Sequence, residues 1–358
     1  MPASRSKQKK SQPAGEILLL KTAPLIKHSV RSPDPIERSE GAPAALLLHG
    51  LGGSPAEMRS LARCLQQAGF SVHVPAIPGC GFGTRADPFD TGTWEQWVAY
   101  ASGALETLSQ RHDRIYVAGL CIGAVVALRL AIEHPRQISA VSLISTTLHH
   151  DGWATPWYCR VARLACHTPL GRRAKLHERF PYGLKNERLR ERIARAMHTE
   201  GNSAAGAEFL PLSGLHQAYR LSAAVRRDIR QVKTPCLVLH SIDDDVASTR
   251  SAEFVARNVD TSEVRTILYR ESYHILTMDN DKEAVADETI GFFRRHGAEA
   301  KKPERVRERG EPALGSVADE ASMDVNTWMP GFDPGPANRS EAVSDALDLT
   351  LLSSVAAV

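Results

Sequence analysis

No apolar stretch in this 358-residue sequence is long enough to span a bilayer, so stable membrane insertion is not expected. The first apolar run, Ile17 to Leu20, stops at Lys21 and is too short for a signal-peptide core. There is no C-x-x-C pair and no Cys/His cluster with zinc spacing, so no metal site is expected. Net charge is only +3, which makes no global demand for nucleic acid or a membrane surface. The six cysteines (Cys64, Cys80, Cys121, Cys159, Cys166 and Cys236) are scattered, as suits a reducing compartment where buried cysteines act as small hydrophobes. The expectation is a cytoplasmic protein with no cofactor, no metal and no nucleic-acid partner.

What is present is core-forming. Hydrophobic residues are 42% of the chain, enough for one catalytic domain of roughly 250 residues with additions. Residues 1–14 are polar and read as a disordered leader, and residues 298–358 as a low-complexity, disordered tail. Between them β and α signals alternate. Short apolar runs predict strands at Ala44–Leu48, Phe70–Val74, Ile115–Ala118, Ala140–Ile144, Cys236–His240 and Val264–Tyr269. Helical spacing predicts helices around Met58–Ala68, over Trp94–Leu108 behind Thr93 as N-cap, and over Ile122–Glu133, Ala252–Asn258 and Lys282–Arg294. Such alternation implies an α/β fold, a mostly parallel sheet with helices on both faces.

The alternation stops over residues 148–230, where strand signals vanish and Arg-rich helical segments such as Asn186–Met197 appear. This predicts a helical cap inserted after the fourth recognised strand, with the core split into residues 15–147 and 231–297. The cap would lie above the carboxyl ends of the strands, where open α/β sheets bind ligands. Trp153, Trp157, Phe209 and Leu210 are its candidate substrate-binding residues. From Asp151 to Arg230 there are 15 basic and 7 acidic residues, an asymmetry that admits a phosphorylated acyl-carrier partner or merely solvated helices.

Four motifs carry chemistry. Gly119-Leu120-Cys121-Ile122-Gly123 lies between a predicted strand and helix, the context of a nucleophile elbow with Cys in the Ser position. The positive end of the helix beginning at Ile122 faces the sulfur and favours a thiolate. His49-Gly50-Leu51-Gly52-Gly53 follows the first core strand. Its Leu51 N–H, with that of Ile122, is the candidate oxyanion hole, since acyl transfer builds charge on a carbonyl oxygen. Ser241-Ile242-Asp243-Asp244-Asp245 follows the fifth strand. Asp244 is the favoured acid for orienting a histidine, with Asp243 and Asp245 as alternatives. Glu271-Ser272-Tyr273-His274 follows the sixth strand, which singles out His274 among 14 histidines as general base. His149, His150, His167 and His177 read as cap surface.

These pieces resemble bacterial carboxylesterases and monoacylglycerol-lipase-like (serine aminopeptidase S33-type) members of the α/β-hydrolase superfamily. The likeness runs from about Ala44 to Phe293, excluding much of the cap. It rests on Leu46-Leu47-Leu48-His49-Gly50-Leu51, Val117-Ala118 with the elbow, Leu237-Val238-Leu239-His240 with the acids, and Ser272-Tyr273-His274-Ile275-Leu276-Thr277-Met278-Asp279. The order nucleophile, acid, histidine is that of the superfamily. The resemblance implies hydrolysis of medium-chain carboxylic esters or monoacylglycerols by a triad of Cys121, His274 and Asp244, with oxyanion donors at Leu51 and Ile122; with the cysteine, the reading extends to ester or thioester bonds of small-molecule acyl substrates, cleaved through a covalent acyl-enzyme. The sequence departs from the family in three places: Cys121 replaces serine, Gly79-Cys80-Gly81 stands where many relatives read Gly-His-Gly, and Ala124 ends the elbow. Two alternatives stay open, an acyltransferase passing the group from Cys121 to an alcohol or amine, and a catalytically weak relative.

Overall fold

The computed structural model of the chain describes residues 42–155, 168, 171 and 173–298. Along the chain come β1 (Ala44–Leu48), α1 (Arg59–Gln67), β2 (Ser71–His73), α2 (Trp94–Ser109), β3 (Ile115–Leu120), α3 (Ile122–Glu133) and β4 (Ile138–Ile144). A second group follows: β5 (Lys175–His177), α4 (Glu187–Glu200), β6 (Asn202–Ser203), β7 (Gly206–Ala207), β8 (Phe209–Pro211) and α5 (Leu212–Asp228). The chain then returns with β9 (Cys236–Ser241), α6 (Arg250–Asn258), β10 (Val264–Tyr269) and α7 (Lys282–Ala298).

The main sheet has the order β10-β9-β4-β3-β1-β2, and every neighbouring pair is parallel. β1 explains the arrangement on a small scale. All five of its side chains are buried, with Ala44, Leu46 and Leu48 in one core cluster and Ala45 and Leu47 in the other. A strand apolar on both faces must be covered on both. The first cluster holds residues of α2, α3, α5 and α6, and the second those of α1, α4 and α7. α3 is apolar almost all round and correspondingly buried. α2 begins as the sequence predicts, with a reciprocal capping box between Thr93 and Gln96.

The order also fixes where a ligand can bind. From β1 the chain moves to β2 at the edge, then crosses to β3 on the other side of β1 and continues outward. Loops leaving β1 and β3 therefore diverge, opening a crevice at their carboxyl ends.

The segment between β4 and β9 differs from its sequence reading. α4 and α5 are helical, but two short antiparallel pairs, β5–β8 and β6–β7, also occur. Strands of two or three residues are too short to leave a period-two signal. Among the described residues no helix is long and apolar enough to cross a membrane. The leader over 1–14 lies outside the described residues, as does the tail after Ala298, which ends α7.

Candidate active site

Cys121 sits between β3 and α3 at φ 57° and ψ −118°, a conformation costly for a residue with a side chain. The surrounding backbone enforces it. A Cβ on Gly123 would fall 2.3 Å from the Leu48 carbonyl oxygen, and one on Gly119 would fall 2.3 Å from the Gly123 carbonyl. Only glycine permits this approach of elbow, helix and β1. The Cys121 N–H donates to Ile144 O at 3.0 Å, tying the turn to β4. The half-buried thiol accepts a hydrogen bond from Thr147 Oγ1 at 3.4 Å. Sequence reading did not single out Thr147, since a Thr after a strand carries no distinctive signal.

His274 is buried in the loop after β10. Its Nδ1–H lies 2.9 Å and 2.8 Å from the two oxygens of Asp244. Asp244 Oδ1 also accepts from the Val246 and Ala247 amides, both at 2.8 Å. His240 Nε2 lies 3.5 Å from Asp244 Oδ2 and donates to Ala247 O at 2.8 Å. Burial alone would raise the Asp244 carboxyl, but the charge and hydrogen bond of His274, with His240, hold it below the carboxylate range. Burial alone would lower His274, yet the Asp244 carboxylate and the nearby Cys121 sulfur hold it well above the usual imidazole value. Its buried Nε2 has no well-aligned hydrogen-bond partner, and Cys121 is close enough to favour the imidazolium.

The three adjacent acids separate cleanly. Asp243 is exposed and takes Lys185 Nζ at 3.1 Å. Asp245 is buried and accepts the amides of Gly183 at 3.1 Å and His274 at 3.3 Å, so it positions backbone. Asp244 alone meets the histidine ring. Further ties hold the histidine loop: Ser145 Oγ donates to His274 O at 2.6 Å, and Asp279 accepts the amides of Tyr273, Lys185 and Asn186.

The loop after β1 lies against the elbow. A Cβ on Gly50 would be 3.3 Å from the Cys121 Cβ. His49 pins the loop: its Nε2 accepts the Ile77 amide at 3.0 Å and its Nδ1–H donates to Gly50 O at 2.8 Å. Burial drives His49 down to about 4, which keeps it neutral and in that tautomer. Among the described residues neither the Leu51 nor the Ile122 amide donates to another protein group.

The expected substrate-binding residues divide. Leu210 overlies the loop, with its Cδ1 3.2 Å from where a Gly52 Cβ would stand, and it packs with Leu176, Leu212 and Leu215. Its neighbour Phe209 points the other way, as alternation along β8 requires, and stacks on Phe89 at 6.0 Å under Lys175. Trp153 is a correction: it is 61% exposed, donates its indole N–H to Asp243 O at 2.9 Å and packs edge-on to Tyr273. It braces the acid loop from outside. Trp157 and His167 lie outside the described residues. His149 and His150 are half-buried rather than surface groups. The His150 ring packs on Tyr219 at 4.6 Å, and burial pushes it down to about 4.

Residues 41–281 match the family described as serine aminopeptidase, S33. The chain is 27% identical over 263 residues to the thermostable monoacylglycerol lipase of Bacillus sp. (strain H-257), covering 74% of this chain and 95% of that protein. It is 24% identical over 264 residues to a carboxylesterase of Bacillus subtilis (strain 168), covering 74% and 97%. Among solved structures, the Paleococcus ferrophilus monoacylglycerol lipase shares the fold at TM-score 0.60 and 17% identity, over 72% of this chain and 97% of that one.

Proposed function

The chain belongs to the serine aminopeptidase S33 family of α/β-hydrolases, and from that membership we propose that it hydrolyses carboxylic ester or thioester bonds of acyl substrates with Cys121 as nucleophile. One observation carries the reading: His274 is held by Asp244 through Nδ1 while its other nitrogen, beside Cys121, has no protein partner aligned with it. A neutral structural histidine would have no need of that carboxylate.

The chemistry follows from this arrangement. The Cys121 sulfur attacks the acyl carbonyl carbon, and the carbonyl electron pair moves to oxygen. The Leu51 and Ile122 amides stabilise that oxyanion. His274, protonated at Nε2, gives its proton to the departing alcohol or thiol as the tetrahedral intermediate collapses to a Cys121 thioester. Water then attacks the thioester and passes a proton to His274, and the carboxylic acid leaves with the Cys121–His274 pair restored. Asp244 stabilises the imidazolium throughout. Leu210, which overlies the loop that carries Leu51, packs with Leu215 in an apolar cluster suited to meeting an acyl chain.

Incubation with p-nitrophenyl esters and acyl thioesters, followed by intact-mass measurement, tests the reading. A single acyl adduct on Cys121 is expected, and Cys121→Ala should lower turnover by about 10⁴-fold or more. Substantial turnover in Cys121→Ala, or an adduct at another residue, would refute it. Product analysis with an added alcohol shows whether the acyl group goes to water.

A further inference from the structure

The reaction above makes no use of the carboxyl group closest to the oxyanion loop. Glu57 lies in the 3₁₀ turn Pro55–Met58 that follows the loop, with Ser54 as N-cap. An acidic side chain in a first turn ordinarily faces solvent and complements the helix dipole. Glu57 instead turns back and is only 4% exposed. Its Oε2 accepts the Gly50 N–H at 2.9 Å. A Cβ on Gly53 would fall 2.3 Å from both carboxyl oxygens, so the group lies flat against that residue's backbone. A Cβ on Gly50 would be 3.3 Å both from Glu57 Oε2 and from the Cys121 Cβ. The carboxyl group thus fills the space behind the Gly50–Gly53 segment, touching residues on either side of Leu51.

Among the described residues no lysine or arginine pairs with it. The titratable groups that face it come from four places. His274 faces it from the loop after β10, and Glu178 from the segment after β5. Cys80 does so from the loop after β2, its thiol 4.0 Å from Gly50 O. His49 donates to the same carbonyl oxygen. Burial pushes the Glu57 carboxyl up to about 8, against the pull of the Gly50 amide and His274 and with the help of Glu178. An uncharged acid in this position can hold the loop. A carboxylate there would set a second negative charge behind the forming oxyanion.

We propose that Glu57 is a positioning residue of the oxyanion loop that works as a neutral carboxylic acid: it fixes the Gly50 amide so that the Leu51 amide faces the substrate, and its ionisation suppresses acyl chemistry. The inference rests on the reading of Leu51 as an oxyanion donor.

The test compares kcat against pH for the full-length wild type, Glu57→Gln and Glu57→Ala on one p-nitrophenyl ester. Wild-type kcat should fall about tenfold from about pH 7 to about pH 9, one unit beyond the point where half of a group of this kind is ionised. Glu57→Gln keeps the acceptor and cannot ionise, so its ratio of kcat between those pH values should approach one. Glu57→Ala should lower kcat at every pH and leave KM little changed. Alkylation of Cys121 by iodoacetamide, followed over the same pH range in wild type and Glu57→Gln, reads the Cys121–His274 pair apart from turnover: the alkaline fall in wild-type kcat should exceed any change in alkylation rate, and a fall no larger than that change would overturn the proposal. Infrared difference spectra of wild type minus Glu57→Gln at neutral pH should show a protonated carboxyl band. A wild type with no alkaline fall, a Glu57→Gln that keeps the fall, or the absence of that band would overturn the proposal. Failure of the parent reading appears elsewhere, as turnover surviving in Cys121→Ala. The pH comparison holds in either case, since it needs turnover and not a particular nucleophile.

Discussion

Replacing Asp244 by Asn changes one atom in a crowded place, and the structure says how the neighbours must respond. Oδ1 receives the Val246 and Ala247 amides at 2.8 Å. The His274 Nδ1 spans both oxygens. The asparagine must keep its carbonyl oxygen toward the two amides, because the opposite rotamer sets two N–H donors against an NH₂ group. Its NH₂ then faces His274 Nδ1, donor against donor. The ring escapes by moving its proton to Nε2 and accepting at Nδ1. In that tautomer Nε2 cannot take a proton from Cys121, and the imidazolium has lost its counter-charge. The expected loss in kcat is about 10⁴-fold, or about 5 kcal/mol of transition-state stabilisation. Folding should suffer far less, about 1–3 kcal/mol, since the shape and two of the hydrogen bonds survive. Asp243→Asn removes only an exposed contact with Lys185, worth at most about 1 kcal/mol. Asp245→Asn should lower thermal stability, because Asp245 holds two backbone amides, while sparing the tautomer. The assay is kcat on a p-nitrophenyl ester with thermal melting of each variant and nitrogen NMR of His274. An Asp244→Asn enzyme that keeps more than about a tenth of wild-type kcat, or an Asp245→Asn enzyme that loses more, would refute the assignment.

Three further outcomes are expected. Thr147→Val preserves shape but removes the hydroxyl donor to the Cys121 sulfur, and should lower kcat and the alkylation rate roughly tenfold; unchanged alkylation would mean the contact has no influence on the thiol. Leu210→Ala should shift acyl-chain preference, measured on a chain-length series of esters, whereas Phe209→Ala should leave the profile in place because that ring faces the opposite side of β8. His49 is buried and depressed to about 4, so the stability it contributes is complete above about pH 6.5 and is lost as pH falls toward 4, by about 3 kcal/mol in all; urea melts across that range should be flatter for His49→Gln.

How much of this was readable beforehand depends on how far each signal travels along the chain. β1 and α3 were predicted at their observed bounds because their burial is continuous and local, and β10, only partly buried along its length, because its β-branched and aromatic residues form an equally local run. That Cys121, His274 and the acid triplet would come together was readable for a related reason: each follows directly on a predicted strand, and parallel strands bring their carboxyl ends together whatever lies between. Choosing among Asp243, Asp244 and Asp245 required the path of the loop after β9, which the surrounding hydrogen bonds determine and no local pattern encodes. β5 and β8 went unseen because their pairs, such as Leu176 with Leu210, join segments more than thirty residues apart with three residues on each side, and β6 and β7 because a hairpin of two-residue strands shows no alternation. Trp153 was misplaced by a composition argument, since an indole is as well suited to bracing a loop through its N–H as to lining a pocket. Nothing local announces the placement of Glu57. Ser54-Pro55-Ala56-Glu57 is an ordinary helix start, with cap, N1 proline and a first-turn acid. The same four residues would serve equally well with Glu57 in water. What admits the side chain inward is the glycine at 53, whose missing Cβ leaves the space that the carboxyl group fills. A glycine and an acid four residues apart are common, and their meaning here arises only because β1 delivers that turn directly against the elbow after β3.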